Sequence, residues 1–219
     1  MRLLLVCGPG GSGTTAVAGS IAHLGAIGFG PFLGSNDERT KNTYELIPFR
    51  ELLRRWIIPG TFSVKSGTNI KCELQLFRQR VINKDFGPYD ASANIPIFLK
   101  EPLAALFISQ ICDVFDTRLI YVLRPLADIH ATTTRRQWGF TMDATRVLYS
   151  HMFNALINYQ TPTLIVRYPE LIASPVEYIM KIAAFAGLNG TPKSIFAASS
   201  FVTTHCATYR HQRAITVVA

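Results

Sequence analysis

The chain has 219 residues, of which 48% are hydrophobic and 16% charged, and its 22 basic and 14 acidic residues give a formal net charge of +8. This length suits one domain over residues 1–219, and the hydrophobic content excludes a disordered chain, a coiled coil or a collagen-like repeat. The positive charge favours an anionic ligand such as phosphate, sulfate or an acidic glycan.

Apolar segments alternate with helical patterns along the chain, as in α/β proteins with a mostly parallel sheet. In chain order, the pattern predicts a strand at Leu3–Cys7, a helix at Thr14–Leu24, a loop at 25–34, a helix at Tyr44–Trp56, a break at 59–69, a helix at Cys72–Ile82, a loop at 83–93, a strand at Ile95–Lys100, a helix at Leu103–Phe115, a strand at Arg118–Leu123, a helix ending at Arg136, a helix at Asp143–Tyr159, a strand at Leu164–Val166 and a helix at Pro175–Ala186. Residues from 199 onward show no clear period. We therefore predict a three-layer α/β sandwich with a mainly parallel central sheet.

The cysteines and the hydropathy profile narrow the class of protein further. No apolar run approaches the roughly 20 residues that span a bilayer. The four cysteines, Cys7, Cys72, Cys112 and Cys206, lie far apart and lack metal-binding spacing. We expect free thiols in a reducing compartment, and therefore a cytoplasmic protein with no metal site and no membrane span. The basic residues are scattered, so we expect no nucleic-acid partner.

A glycine-rich turn, Gly8-Pro-Gly-Gly-Ser-Gly-Thr-Thr15, separates the first strand from the first helix. Its glycines have the spacing of the phosphate loop G-x-x-x-x-G-K-[ST], with Thr14 in the lysine position. Backbone N–H groups in such a turn bind anions together with the positive end of the helix dipole. The anion-binding residues are predicted to be Gly10, Gly11, Ser12, Gly13, Thr14 and Thr15. The missing lysine counts against a small-molecule or nucleotide kinase, which stays the alternative enzyme class.

Three segments follow one another in an order that chance rarely produces. Gly11-Ser-Gly-Thr-Thr15 matches the pattern [KR]-S-G-T-[TS] except at Gly11. Tyr121-Val-Leu-Arg-Pro-Leu-Ala-Asp128, followed by Thr132, matches a strand that ends in V-x-R with a hydroxyl residue eight positions after the arginine. Val166–Pro175, continuing to Phe185–Leu188, matches v-x-Y-E-D-L-x-x-x-P with a helix ending in F-x-G-L. Together they resemble the P-loop sulfotransferases, in particular small bacterial-type members.

The resemblance implies a P-loop NTPase-like fold and a donor, 3′-phosphoadenosine 5′-phosphosulfate (PAPS), at the carboxyl ends of about five parallel strands. It implies that Arg124 and Thr132 bind the 3′-phosphate, that Tyr168 lies against the adenine, and that a basic C-terminal segment with Arg210 closes over the donor. Two alternatives stay open from the residues themselves. The Thr132 hydroxyl can instead bond back onto its own helix, and Tyr168 can be a core residue.

Two shorter segments provide the candidate catalytic residues. Lys100-Glu-Pro102 resembles the K-D-P of bacterial family members, and Thr43-Tyr-Glu45 resembles their G-[YFW]-x-E or Y-x-E element. The resemblance implies that Lys100 stabilises charge on the bridging oxygen and that Glu45 takes the acceptor's proton, because Pro102 stands where cytosolic members carry a histidine. Glu38 and Glu101 are the alternative bases, and an exposed helical position for Glu45 is the competing interpretation.

The predicted function is therefore transfer of a sulfuryl group from PAPS to a hydroxyl or amine of a small-molecule or glycan acceptor, with no metal ion. The alternatives are a P-loop kinase and a PAPS-binding protein that has lost catalysis, which the departures at Gly11 and Pro102 keep open. The sequence identifies neither the acceptor nor the oligomeric state.

Overall fold

A computed structural model describes residues 1–34, 42–59, 61–67, 69–137 and 141–205 of the chain. Within these residues the strands are β1 (Arg2–Cys7), β2 (Phe32–Gly34), β3 (Asn42–Leu46), β4 (Ile97–Lys100), β5 (Asp116–Leu123) and β6 (Thr163–Arg167). The α-helices are α1 (Thr14–His23), α2 (Ile47–Arg55), α3 (Ile70–Ile82), α4 (Ile108–Val114), α5 (Leu126–Arg135), α6 (Met142–Asn158), α7 (Tyr168–Ala173), α8 (Pro175–Ala186) and α9 (Pro192–His205). Short 3₁₀ helices cover Ala91–Ala93 and Pro102–Phe107.

The central sheet consists of parallel strands in the order β4-β1-β5-β6. Strand β1 is apolar at every position after Arg2, because helices cover both faces of the sheet. Leu3 and Leu5 face one buried cluster, formed with α2, α3, α4 and α6. Leu4 and Val6 face the other, formed with α1, α7, α8 and α9. The predicted three-layer α/β sandwich is confirmed.

The predicted sheet strands are all present, with shifted ends, but the described residues contain four parallel strands rather than about five. A separate antiparallel pair, β2 and β3, lies outside this sheet. The predicted loop at 25–34 therefore ends in a strand. The predicted helix at Leu103–Phe115 is divided into the 3₁₀ helix Pro102–Phe107 and α4.

The prediction of a continuous helix at Tyr44–Trp56 is wrong at its amino-terminal end. Residues 42–46 form β3, and the helix begins only at Ile47, with Pro48 in its first turn. Tyr44 has a φ of 58°, a left-handed conformation that a right-handed helix cannot contain. The i, i+3, i+4 spacing that includes Leu46 therefore extends across a strand–helix boundary.

Residues from 199 onward show no clear period in the sequence, yet they continue helix α9 as far as His205. Helix α8 ends at the amino-end edge of the sheet, where the Arg118 guanidinium donates to the carbonyl of Phe185. Helix α9 returns along α1, and Phe201 contacts His23 with ring centroids 5.3 Å apart.

Among the described residues, no helix combines the length and hydrophobicity needed to cross a membrane.

Candidate functional site

The turn between β1 and α1 has the geometry of an anion-binding loop. Gly11 and Gly13 have φ values of 84° and 103°, and Gly13 is the N-cap of α1. The Ser12 amide donates to Pro9 O at 3.0 Å, and the first amide bonded within the helix is that of Ala16, to Gly13 O at 3.0 Å. The amides of the first helical residues have no carbonyl before them in the helix, so they lie at its positive end. This arrangement suits a phosphate or sulfate group.

Ser12 supplies a hydroxyl inside this loop. Its side chain is 0% exposed, and its Oγ has no hydrogen-bond partner among the described residues. A Cβ atom on Gly8 would lie 2.5 Å from Ser12 Oγ and 2.9 Å from Val122 O, so the hydroxyl occupies space that only a glycine at position 8 leaves open. A buried hydroxyl without a partner is energetically unfavourable, and a bound anion would supply the missing acceptor.

Arg124 joins the end of β5 to the loop. Its Nη1 donates to Gly11 O at 2.7 Å, and its guanidinium carbon lies 4.9 Å from the centre of the Tyr168 ring. The Tyr149 hydroxyl bonds to both the amide and the carbonyl of Arg124, at 3.0 and 3.2 Å, which fixes the backbone there. The guanidinium is therefore held at the carboxyl edge of the sheet, beside the loop.

Thr132 and Tyr168 also lie against the loop. A Cβ on Gly11 would be 3.5 Å from Thr132 Cβ, whereas the Thr132 hydroxyl donates to Asp128 O at 2.9 Å, which is the bond back onto its own helix. Tyr168 is buried in the second core cluster, and its ring occupies the space that a Cβ on Gly13 would need. Thr132 and Tyr168 therefore pack against the glycines of the loop.

A second group of side chains surrounds Lys100, the last residue of β4. Lys100 pairs in register with Val6, so it lies beside the end of the strand that leads into the loop. Its Nζ donates to Glu45 Oε1, and Arg50 Nη1 donates to Glu45 Oε2. Arg50 Nη1 is also 3.9 Å from Glu101 Oε2. The exposed fractions of these side chains are 4% for Lys100, 9% for Glu45, 23% for Arg50 and 2% for Glu101.

Glu101 is the most deeply buried member of this group. Its Oε1 accepts from the Leu103 amide at 3.3 Å, and its Oε2 has no hydrogen-bond partner among the described residues. Burial and, to a smaller extent, the charge of Glu45 raise the pKa of Glu101 to about 7, although Arg50 and Lys100 oppose this shift. Glu101 therefore exchanges its proton near neutral pH.

A bulge in the β2–β3 pair directs Glu45 toward Lys100. The pairing shifts register between Phe32 and Gly34. Opposite this shift, Tyr44 has a left-handed backbone, and its amide donates to Asn42 Oδ1 at 2.8 Å. Neighbouring strand residues normally point to opposite faces, yet Glu45 and Leu46 are both buried. The competing interpretation, in which Glu45 lies on an exposed helical surface, is therefore wrong.

The structure brings the candidate residues into two adjoining groups at one edge of the sheet. The loop residues Gly10–Thr15 lie with Arg124, Thr132 and Tyr168, and Glu45 lies with Lys100. Glu38 and Arg210 lie outside the described residues. Arg50 was not identified from the sequence, because the sequence places it in the middle of a predicted helix rather than one turn after a strand. No group of three or more His, Cys, Asp or Glu side chains in the described part of the chain is arranged to hold a metal ion.

Solved structures with a similar fold include several sulfotransferases. Sulfotransferase STF1 from Mycobacterium tuberculosis H37Rv aligns with a TM-score of 0.56 at 15% identity, over 93% of this chain and 71% of that chain. The sulfotransferase domain of the Synechococcus PCC 7002 olefin synthase gives 0.49 at 17% identity, over 89% and 76% of the two chains. A sugar kinase from Janibacter sp. HTCC2649 gives 0.46 at 14% identity, over 89% and 98%. No protein-family model and no curated protein matches the sequence.

A parallel sheet covered by helices on both faces, with a glycine-rich loop after its first strand, defines an α/β protein. Within that class, the chain has the fold of the P-loop sulfotransferases. The identity of 15% establishes the fold alone.

Proposed function

We propose that this protein is a PAPS-dependent sulfotransferase that acts on a hydroxyl or amine of a small-molecule or glycan acceptor. The observation that carries the proposal is the buried, unpartnered hydroxyl of Ser12 inside a glycine loop at a helix N-terminus. The loop offers amide and hydroxyl donors to an anion but lacks the lysine that a kinase places at the transferred phosphate.

The residues of the first group suit the donor. The loop amides, Ser12 and the hydroxyls of Thr14 and Thr15 would hold the 5′-phosphosulfate. The Arg124 guanidinium, a planar donor that matches phosphate oxygens, would hold the 3′-phosphate beside Thr132. Tyr168, which packs beneath Arg124 and Gly13, would border the adenine. When bound, PAPS supplies an activated sulfuryl group with a phosphate leaving group.

Lys100 and Glu45 would carry the chemistry at the adjoining strand end. The Lys100 ammonium would offset negative charge that develops on the leaving oxygen, a contribution of about 2–4 kcal/mol in comparable sites. The Glu45 carboxylate would take the proton that the acceptor hydroxyl or amine loses as it attacks. Glu101 and Glu38 are the alternative proton acceptors. Glu101 is more deeply buried than Glu45 and is therefore the less accessible of these two carboxylates.

We also infer a cytoplasmic location. The described cysteines Cys7, Cys72 and Cys112 are free thiols, which persist in a reducing compartment.

The test is thermal and chemical stabilisation by 3′-phosphoadenosine 5′-phosphate (PAP), compared with ATP and magnesium. A ligand at about 100 times its dissociation constant should raise the free energy of unfolding by about 2.7 kcal/mol. We expect PAP to stabilise the protein and Arg124→Gln to remove most of this effect. Arg118→Gln, at the opposite end of β5, is the matched control and should retain it.

Stabilisation by ATP with magnesium but not by PAP would replace the sulfotransferase with a kinase. Stabilisation by PAP without sulfuryl transfer from PAPS to any hydroxyl or amine of a broad panel would favour a binding protein that has lost catalysis. Arg210→Gln, measured in the same way, tests whether the C-terminal segment contributes to binding PAP.

A further inference from the structure

The two oxygens of the Glu45 carboxylate have different cationic partners, which come from different elements. Oε1 accepts from Lys100 at the end of β4, and Oε2 accepts from Arg50 in α2. Arg50 is in turn close to Glu101, with Nη1 3.9 Å from Oε2. The guanidinium therefore lies between two carboxylates, one from β3 and one from the residue that follows β4.

Burial makes these contacts important for the orientation of Glu45. Glu45 and Glu101 are 9% and 2% exposed in their side chains, so water compensates little of their charge. Removing the partner of a buried ion is far more costly than losing an exposed ion pair. A guanidinium holds a carboxylate in a defined plane better than an ammonium does, because its N–H donors have fixed directions.

We propose that Arg50 is a positioning residue that holds the Glu45 carboxylate in place, so that Lys100 is free to contact the donor. This inference rests on the proposed function. Lys100 is required at the leaving oxygen, and when it turns there Glu45 Oε1 becomes open to the acceptor's proton. Arg50 remains on Oε2 and keeps the carboxylate directed at the reacting group, while Glu101 holds Arg50 from behind.

The test compares Arg50→Gln and Arg50→Lys with Arg54→Gln. Arg54 lies on the same helix with an exposed side chain, so its substitution removes the same charge without touching the site. PAPS hydrolysis, with water as the acceptor, is measured as PAP release. We expect Arg50→Gln to lower turnover by at least about tenfold, Arg50→Lys to restore part of it, and Arg54→Gln to match the wild type. PAP affinity should change by less than about threefold in all three variants, because the ion pairs of Arg50 in the described structure are with Glu45 and Glu101 and not with the phosphate loop.

A second readout does not depend on turnover. Protein labelled with ¹³C at the glutamate carboxyl carbons gives the Glu101 titration and a separate carboxyl signal for Glu45, and Glu45→Gln and Glu101→Gln assign the two signals. In Arg50→Gln we expect the Glu101 midpoint to rise by about one pH unit or more, because a cation that lowers its pKa is lost, and the Glu45 carboxyl signal to shift. Arg54→Gln should leave both signals in place.

Two results would overturn the proposal. One is an Arg50→Gln variant that matches Arg54→Gln in both turnover and carboxyl titration. The other is loss of PAP affinity in parallel with turnover, which would make Arg50 part of the donor site. If wild-type protein binds no PAP, the proposed function fails, and the response of the Glu45 carboxyl signal to Arg50→Gln still decides whether Arg50 holds Glu45.

Discussion

Gly13 has a backbone conformation and a neighbour that both exclude a larger residue. Its φ is 103°, and a Cβ atom there would overlap the ring of Tyr168. Gly25 has a φ of 99°, but a Cβ atom at that position would meet nothing within 4 Å. An alanine at Gly25 would therefore suffer backbone strain alone, whereas an alanine at Gly13 would suffer both backbone strain and steric overlap.

We predict that Gly25→Ala lowers the free energy of unfolding by about 1–2 kcal/mol, which is the backbone strain alone. Gly13→Ala should lower it by at least about 1 kcal/mol more, because the Tyr168 ring must move, and it should abolish PAP stabilisation. Urea unfolding of both variants, with and without PAP, measures the difference. Equal losses in the two variants would show that Tyr168 does not pack against the loop.

Glu101 makes stability depend on pH in a direction opposite to that of most carboxylates. Its pKa in the folded protein is raised from about 4.5 to about 7, mainly by burial. The folded state therefore binds the proton more tightly than the unfolded state. Stability from this group is fully present below pH 4.5 and is lost as the pH rises through 7, by about 3 kcal/mol at most.

We predict that Glu101→Gln, which keeps an acceptor for the Leu103 amide, matches the wild type near pH 5 and exceeds it in stability at pH 8. Urea unfolding between pH 5 and 8 gives the difference at each pH. Glu177→Gln is the control, because Glu177 is exposed on α8 beside Lys181, and its difference from the wild type should stay constant. A constant difference for Glu101→Gln would mean that the buried carboxyl is already ionised at pH 5.

Elements whose hydrophobic pattern lies within a single strand or helix were predictable from the sequence. Where one pattern continues from a strand into a helix, the elements were not predictable. Strand β1 and helix α8 follow from a short apolar run and from a periodic segment that ends at Gly187. The β3–α2 junction was missed, because the bulge at Tyr44 depends on a hydrogen bond from its amide to Asn42 and on packing against Phe32. The first is a local bond between residues two apart, and the second is a contact with another strand. A hydrophobic period records neither of them.

The same junction explains what could be predicted of the candidate site. The loop and Arg124 directly follow strands and Lys100 is the last residue of one, so the parallel topology places all three at one edge of the sheet. The ion pairs of Glu45 with Lys100 and Arg50 could not be predicted, because Glu45 and Arg50 come from a junction assigned to a single helix. Arg50 reaches Glu45 only because β3 ends at Leu46 and α2 begins at Ile47.

For the whole molecule, the contact between α1 and α9 links the phosphate loop to the end of the described chain. Helix α1 begins at the loop, and Gly19 in its middle faces Phe201 of α9. A Cβ at Gly19 would overlap the Phe201 ring. The same ring makes an edge contact with the ring of Tyr44, the neighbour of Glu45, with ring centroids 6.2 Å apart. Phe201 therefore packs between the helix that carries the loop and the strand that carries the candidate base.

This packing reverses the usual effect of replacing a helical glycine. Gly19→Ala should gain about 1 kcal/mol of helix propensity, yet we predict a net loss of stability because α9 must shift away from α1. In a Phe201→Leu background the overlap is relieved, and the same substitution should become neutral or stabilising. A double-mutant cycle by urea unfolding measures this coupling, which we expect to exceed about 1 kcal/mol. If Gly19→Ala stabilises the wild type and the cycle closes without coupling, α9 does not pack on α1 at this position, and the route from the loop through Phe201 to Tyr44 does not exist.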